Sequence, residues 1–460
     1  METIKKFDAV MLGSGQAANP LSSAFTKAGQ RVALVERALV AGTCINYGCT
    51  PTKTMIASAQ RAHQVRTAGE LGIDVSGFQV NMERVRQRKR DMVKSFRSGS
   101  ERRFESGSPK LIRGEASFVS PHEIRVRLNE SGEEQRIRGE LIVIDTGTSP
   151  KIPSIEGLKN VPYLDNVSLM ELGEVPEHLL ILGGGYIAVE FGQMFRRLGS
   201  QVTMVERSKH LLANEDDDVA SALTQILQEE GVEVITDAEA AMVSDGNRSI
   251  RLQLKSGQTL EGSHLLVATG RTPNTQELNL RAAGVETDDR GFVRVNEQLQ
   301  TDVPHIYAAG DVTGEPAFTH VSYDDYRILR DNLLQGGQRK TSDRMVPYVV
   351  YTDPQLGRVG LTERDARKKG KQIKVGRMPM TSVARAKETG EARGLMKVVV
   401  DAESDLILGV AALGAEGGEI MSMLQIAMMG KLKYQALVDA VLAHPTYAES
   451  LNNVFSDLKG

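Results

Sequence analysis

Two cysteines, Cys44 and Cys49, stand five residues apart in the segment Gly42-Thr43-Cys44-Ile45-Asn46-Tyr47-Gly48-Cys49-Thr50-Pro51-Thr52-Lys53, and the chain has no others. In a regular α-helix residues at that spacing lie about 8.7 Å apart, beyond the roughly 4.4–6.8 Å Cα separation that a disulfide tolerates. A bond between them therefore needs a distorted turn. Gly48 supplies the latitude, and Pro51 fits the first turn of a helix but not its interior. Closing so short a loop removes little entropy from the unfolded chain, so a bridge here would serve redox exchange rather than stapling. The bland alternatives are two unrelated buried thiols or half of a metal site. Against the second, no further Cys exists and the eight His show no ligand spacing around the pair, so no metal ligands are expected.

A second candidate is His444, in His444-Pro445-Thr446-Tyr447-Ala448-Glu449. A lone His is more often a structural residue than a catalyst. Here Glu449 follows five residues later and could orient the imidazole. A dithiol also needs a base near neutrality to form thiolate and to return the proton to a leaving thiol. On the residues alone both readings stand.

The elements that would position these groups are written twice. An apolar run over 7–12 enters Gly13-Ser14-Gly15-Gln16-Ala17-Ala18, a helix-compatible stretch extends to Gly29, and a second strand over 31–35 ends in Glu36. The same βαβ grammar returns when 179–182 enter Gly183-Gly184-Gly185-Tyr186-Ile187-Ala188, a helix runs to Leu198-Gly199, and a strand over 201–205 ends in Glu206. In such a unit the first Gly makes the turn, the second lets backbone approach a pyrophosphate, and a third small residue allows helix–strand packing. Gly13, Gly15 and Ala18 fill these roles once, and Gly183, Gly185 and Ala188 again. Each unit carries an acid 23 residues past its first Gly. A carboxylate there accepts hydrogen bonds from ribose hydroxyls and repels a 2′-phosphate. Glu36 thus suits the adenosine of FAD, and Glu206 leans towards NADH, with Arg207 and Lys209 just beyond leaving NADPH open. Each unit is followed by a strand running into Thr-Gly, over 141–145 before Thr146-Gly147 and over 265–268 before Thr269-Gly270. Two dinucleotides meeting at a shared crevice are the expectation.

The whole chain suits this reading. At 460 residues, with 40% hydrophobic and 25% charged residues, it has the composition of a globular protein of several packed units, not of a disordered or fibrous one. Forty-four glycines suit many tight strand-to-helix turns. A net charge of −3 offers no field for nucleic acid or an anionic membrane. No signal segment and no long apolar run is seen, so the expected address is the cytoplasm. A basic stretch between 80 and 103 reads as a solvated helix face rather than an anion site. From about Arg344 the character changes, with a strand-like run over 346–351, a turn at Asp353-Pro354 and a Met-rich helix pattern around Met421, Met423, Met428 and Met429. That reads as a third domain, whose Met stripe suits subunit core better than a cofactor box.

Together these features resemble the pyridine nucleotide-disulfide oxidoreductases, the family of glutathione reductase, dihydrolipoamide dehydrogenase and mercuric reductase. The likeness covers essentially the whole chain. It rests on residues 42–53, the two glycine fingerprints, Ala268-Thr269-Gly270-Arg271-Thr272-Pro273-Asn274, Ile306-Tyr307-Ala308-Ala309-Gly310-Asp311 and the His444 segment. The fold it implies is α/β: two Rossmann-like dinucleotide-binding domains plus an α+β C-terminal dimerisation domain. Residues 1–150 and 271–343 would form the FAD-binding domain, 151–270 the NAD(P)H-binding domain and 344–460 the dimerisation domain.

The resemblance also implies roles. Cys44 would exchange with substrate and Cys49 would lie against the flavin, with Lys53 nearby and paired with Glu190. Gly13, Gly15, Ala18, Glu36, Gly42, Thr43, Thr146, Gly147 and Asp311 would bind FAD, Asp311 through its ribityl chain. Gly183, Gly185, Tyr186, Ala188, Glu206 and Gly270 would bind NADH or NADPH, Tyr186 covering the flavin until nicotinamide displaces it. His444 and Glu449 would act from the partner subunit of a homodimer. Electrons would pass from NAD(P)H through flavin to a Cys44–Cys49 disulfide and on to a small disulfide, an oxidant or Hg(II). Cys49-Thr50-Pro51-Thr52-Lys53-Thr54 and Phe318-Thr319-His320-Val321-Ser322-Tyr323-Asp324-Asp325-Tyr326-Arg327 are similar to the branch of mercuric-reductase-like proteins and of reductases of reactive chlorine species and hypothiocyanous acid. Well-characterised mercuric reductases carry a C-terminal Cys pair and an N-terminal metal-binding domain not seen here, and they depart from the histidine at His444. Dihydrolipoamide dehydrogenase is the rival enzyme, and a flavin-binding signalling protein without disulfide chemistry the rival of another class.

Overall fold

A computed structural model describes residues 4–105, 107–314 and 316–460, and the chain divides into two compact units. The first comprises Met1–Thr54, Gln87–Lys151 and Gly270–Arg344, and the second Met55–Arg86, Ile152–Thr269 and Met345–Gly460.

In the first unit β1 (Lys5–Leu12) and β2 (Val32–Glu36) flank α1 (Ala18–Lys27), as the glycine turn requires. Two helices follow, α2 (Gly42–Asn46) and α3 (Cys49–Arg66), the latter passing into the second unit at Met55, and then α4 (Met82–Glu101), which returns to the first at Gln87. The strands β3 (Lys110–Phe118), β4 (Glu123–Leu128) and β5 (Glu134–Ile144) complete the sheet with the strand Ile306–Ala308. Parallel pairing runs β3, β2, β1, β5 and Ile306–Ala308. Along β1, Val10 and Leu12 enter one core while Ala9 and Met11 enter the other, so both faces are covered. That is why these strands read as unbroken apolar runs instead of alternating ones. Both β3 and β5 outlast the parallel layer and turn to sandwich β4 in an antiparallel ribbon. Gly114 lies where β3 switches partner, and a Cβ there would stand 2.5 Å from the Arg127 carbonyl oxygen.

The second unit repeats the parallel layer with strands His264–Val267, His178–Leu182, Gln201–Val205 and Val232–Ile235, in that order. The helix Tyr186–Leu198 buries Phe191 and Phe195 against it. A five-stranded antiparallel sheet over 348–414 carries the helix Gly417–Met429, held close because a Cβ on Gly357 would meet the Gly417 carbonyl oxygen at 2.3 Å. A buried charge network ties the two layers of this unit. Arg197, 3% exposed, bonds Glu230 at 2.7 Å and Asp353 at 2.5 Å, and Arg393 reaches Glu230 at 2.7 Å. Burial pushes the Glu230 carboxyl up, but the two guanidinium groups outweigh it and hold the carboxyl below its ordinary range.

Two expectations are amended. The basic stretch is the helix α4, and while Arg84, Arg88 and Arg90 are exposed, Lys89 is buried at 3% exposure. The Met pattern divides between core and surface. Met421 is buried, whereas Met423, Ile426 and Met429 stand 38%, 70% and 67% exposed on the same helix. A helix so apolar around its circumference carries a second face that its own sheet does not cover. No helix among the described residues is long and apolar enough to cross a membrane.

Candidate active site

The required distortion at the cysteines is a break between two helices. Asn46 ends α2, Tyr47 leaves the helix at φ −139°, and α3 starts afresh at Cys49, with Pro51 inside its first turn. Gly48 permits the fold-back, since a Cβ there would stand 3.0 Å from the Thr43 carbonyl oxygen and 3.2 Å from the Cys44 Cα. Asn46 secures α2 by donating to the carbonyl oxygens of Val40 at 2.8 Å and Gly42 at 2.9 Å. The two thiols lie within hydrogen-bonding reach of each other. Cys49 Sγ also meets Thr319 Oγ1 at 3.2 Å, at the start of the helix Thr319–Leu334. The hydrogen bond to Cys49, with burial next, pushes the Cys44 thiol well up, and Thr319 pulls weakly the other way. Cys49 is exposed and Cys44 half-buried. Lys53 lies one turn further along α3.

The turn after β1 packs against the end of β5. Gly13 adopts φ +96°, and a Cβ on it would stand 2.2 Å from the Asp145 carbonyl oxygen. Ser14 fixes Glu36 by donating from its backbone N at 3.0 Å and its Oγ at 2.6 Å, and Ala38 N donates to the other carboxylate oxygen at 2.7 Å. Ala18 is fully buried at the start of α1. Gly42 approaches Gly15 so closely that a Cβ would stand 2.9 Å from its Cα, and Thr43 beside it is exposed. Asp311 accepts from Thr148 Oγ1 at 3.1 Å, and Arg271 Nε donates to the same hydroxyl oxygen at 2.6 Å. Burial raises the Asp311 carboxyl, with Arg271 and Thr148 opposing.

In the second unit Gly183, at φ +118°, repeats the turn with a Cβ position 2.4 Å from the Ala268 carbonyl oxygen. Gly185 caps the helix that begins at Tyr186, and Ala188 is buried beneath it. Glu206 accepts from Ser208 N at 2.7 Å. Glu190, 3% exposed, accepts from Tyr351 N at 2.9 Å. His444 Nδ1 meets the Glu449 carboxylate at 2.8 Å, on a side chain 66% exposed.

Two residues in this geometry carry no role in the motif reading, Thr319 and Asp145. A signal for the second was present: of the two strands that run into Thr-Gly, one ends in Asp145 and the other in Ala268.

The profile of the pyridine nucleotide-disulphide oxidoreductases matches residues 7–325, and that of the family's dimerisation domain matches residues 346–455. The chain belongs to this family. It is 38% identical to the probable pyridine nucleotide-disulfide oxidoreductase RclA of Escherichia coli K12, over 99% of this chain and 100% of that protein. It is 36% identical to a mercuric reductase of Staphylococcus aureus, over 97% of this chain and 81% of that one, and 33% identical to a dihydrolipoyl dehydrogenase of Thermus scotoductus, over 97% and 96%. Among solved structures, the HOCl-induced flavoprotein disulfide reductase RclA from E. coli matches with a TM-score of 0.89 at 38% identity, covering 98% of this chain and 99% of that one. Its Cu(II) complex matches with a TM-score of 0.90 at 37% identity over the same shares.

The chain is thus an FAD-dependent NAD(P)H oxidoreductase with the α/β fold of flavoprotein disulfide reductases. Its residues fit FAD. Thr146 Oγ1 is buried beside the glycine turn without a hydrogen-bond partner, and Gly147, at φ +64°, has nothing within 4 Å of a would-be Cβ. The same openness at Gly185 and Gly270 suits the backbone approach of the nicotinamide nucleotide.

Proposed function

We propose that Cys44 and Cys49 form the working redox pair and that the acceptor is a small thiol-reactive oxidant of the reactive-chlorine or hypothiocyanous-acid class. The reading is carried by one observation: a helix broken between the two cysteines so that their thiols meet, with the Cys44 proton held by its neighbour. Bound FAD supplies the two-electron connection between a hydride donor and sulfur. Everything else falls to the chain. Cys44 attacks the oxidant, Cys49 displaces the reduced product to close the disulfide, and the dithiol gives up two electrons and two protons. His444, oriented by Glu449, handles the proton at its Nε2. Glu36 and residues 13–18 hold FAD with Asp311, and Glu206 with residues 183–188 holds the nicotinamide nucleotide, NADH over NADPH.

In this reading residues 1–150 and 271–343 hold FAD, 151–270 hold NAD(P)H, and 344–460 join two copies into a homodimer through the apolar face of Met423, Ile426 and Met429. A cytoplasmic address belongs to it, since a thiol pair of this kind works in a reducing compartment. Mercuric reduction is supported by the 36% identity to the Staphylococcus enzyme, and lipoamide chemistry by the His444–Glu449 pair together with the Thermus relative.

Steady-state turnover with NADH and NADPH against hypothiocyanous acid, Hg(II), oxidised glutathione and lipoamide tests the proposal. Hypothiocyanous acid is expected to show the highest kcat/KM, and preferred turnover of lipoamide overturns the acceptor assignment. Cys44→Ser and Cys49→Ser should each lower turnover on the order of a hundredfold or more, while FAD stays bound. Near-normal turnover in either variant removes the pair from the electron route.

A further inference from the structure

The two glycine turns of this chain share one backbone design and differ in one side chain. In the second, the residue beneath the turn is Ala268, and a Cβ on Gly185 would meet nothing within 4 Å. In the first the corresponding residue is Asp145, and a Cβ on Gly15 would stand 2.6 Å from both of its carboxylate oxygens. Gly310 closes the other side, where a Cβ would stand 3.0 Å from Asp145 Oδ1. The carboxyl therefore fills a slot between two glycines, 6% exposed, directly behind the loop. It accepts from Ala18 N at 2.7 Å and interacts with Ala17 N, both at the start of α1. Those are the N–H groups that a helix N-terminus offers to an anion. Because the second turn folds the same way over an alanine, the fold does not require this acid.

The geometry points to Asp145 as a proton-linked gate on FAD retention: its carboxyl is protonated while the dinucleotide's diphosphate occupies residues 13–18, and its ionisation loosens the cofactor. The balance is simple. The ionised apoprotein, one proton and FAD combine to give the protonated holoprotein, and loss of that proton favours release. An ionised Asp145 would place a negative charge behind the backbone that must face two phosphate charges, and would compete for the same helix terminus.

The charges around it favour the neutral form. Asp311 faces it from the turn 310–313, and Asp325 from the helix Thr319–Leu334, the latter accepting from Gly310 N at 2.7 Å. Each of those acids has its own guanidinium: Arg271 acts on Asp311, and Arg344 Nη1 bonds Asp325 at 2.5 Å. Glu36 on β2 is taken by Ser14 and Ala38. Burial raises the Asp145 carboxyl well above the usual range, the Ala18 and Ala17 amides oppose it, and Asp311 and Asp325 add to the rise. The diphosphate's charges further oppose ionisation of Asp145, so the holoprotein holds this proton to higher pH than the apoprotein does, and FAD affinity falls as pH rises above the apoprotein's own titration.

The inference rests on residues 13–18 being the FAD cradle and not on the acceptor. The test dilutes the full-length holoenzyme in buffers between about pH 6 and about pH 9 and reads free FAD by its fluorescence, with a limiting change of about tenfold in Kd per pH unit for one linked proton. Kd is expected to rise with pH in the wild type, and Asp145→Asn should retain FAD at alkaline pH with that dependence removed. Calorimetric titration of wild-type apoprotein with FAD, in buffers of different ionisation enthalpy, reads the proton directly and needs no variant: net uptake is expected. Parallel pH profiles in the two proteins, or no proton uptake by the wild type, overturn the gate while leaving the cradle intact. Failure to bind FAD at every pH overturns the cradle and the gate together.

Discussion

A negative charge shared between two sulfurs is steadied by the donors that reach either of them. The Thr319 hydroxyl lies 3.2 Å from Cys49 Sγ and also bonds the Cys44 side chain, where it opposes the rise that Cys49 and burial impose. Thr319 is then a positioning residue for the pair. Replacing it with Val removes the donor at nearly constant volume. The dithiol's first apparent pKa should move up by about one unit or less, which slows alkylation by iodoacetamide at neutral pH about three- to tenfold. Thr319→Ser should restore the rate. The measurement is the pH profile of alkylation of the dithiothreitol-reduced protein, and a midpoint that stays put in Thr319→Val removes Thr319 from this role.

The break between α2 and α3 is an element-scale device, and it depends on a residue with no side chain. A Cβ on Gly48 would press on the Thr43 carbonyl oxygen at 3.0 Å and the Cys44 Cα at 3.2 Å, main-chain atoms that would have to give by a few tenths of an ångström. Gly48→Ala should therefore cost about 1–3 kcal/mol in stability and slow disulfide formation when oxidant is added to the reduced protein. Thermal melts and thiol counts against time check this, and unimpaired closure would show that the helices part without losing the pair. This break was legible in the sequence, because five-residue spacing and helical geometry cannot both hold with a bond. The βαβ units were legible too, since Gly13 and Gly183 each follow a buried run whose faces are both covered. The partner switch of β3 and β5 was not. Nothing in the residues 110–144 says that one strand belongs to two sheets, because that depends on distant β2 and β4 packing on either half. Thr319 and Asp145 escaped for a related reason. Each acts on a group brought near by topology, Cys49 being 270 positions from Thr319 and Ala18 127 from Asp145.

At the scale of the molecule the question is which copies of the chain complete one active site. Residues 346–455 carry the family's dimerisation domain, and Met423, Ile426 and Met429 stand exposed together on one helix there. If His444 and Glu449 serve the cysteines of the other subunit, two inactive variants should repair each other. Take Cys44→Ala, which keeps its histidine, and His444→Ala, which keeps its dithiol. Mixed in equal amounts, unfolded and reassembled together, about half of the dimers contain one of each, and each such dimer has one of its two sites intact. The mixture should recover about a quarter of wild-type turnover by this counting, while either variant alone remains near its own low level. Were the two residues to serve the same subunit's cysteines, a mixed dimer would contain two broken sites and the mixture would add nothing. Replacing Ile426 with Asp in both variants should abolish the recovery, because a charge placed in the apolar face opposes pairing while leaving the subunit's own core untouched. Sedimentation of the same samples separates loss of pairing from loss of chemistry, so recovery that persists in a monomeric sample would break the link between the exposed helix face and the shared site.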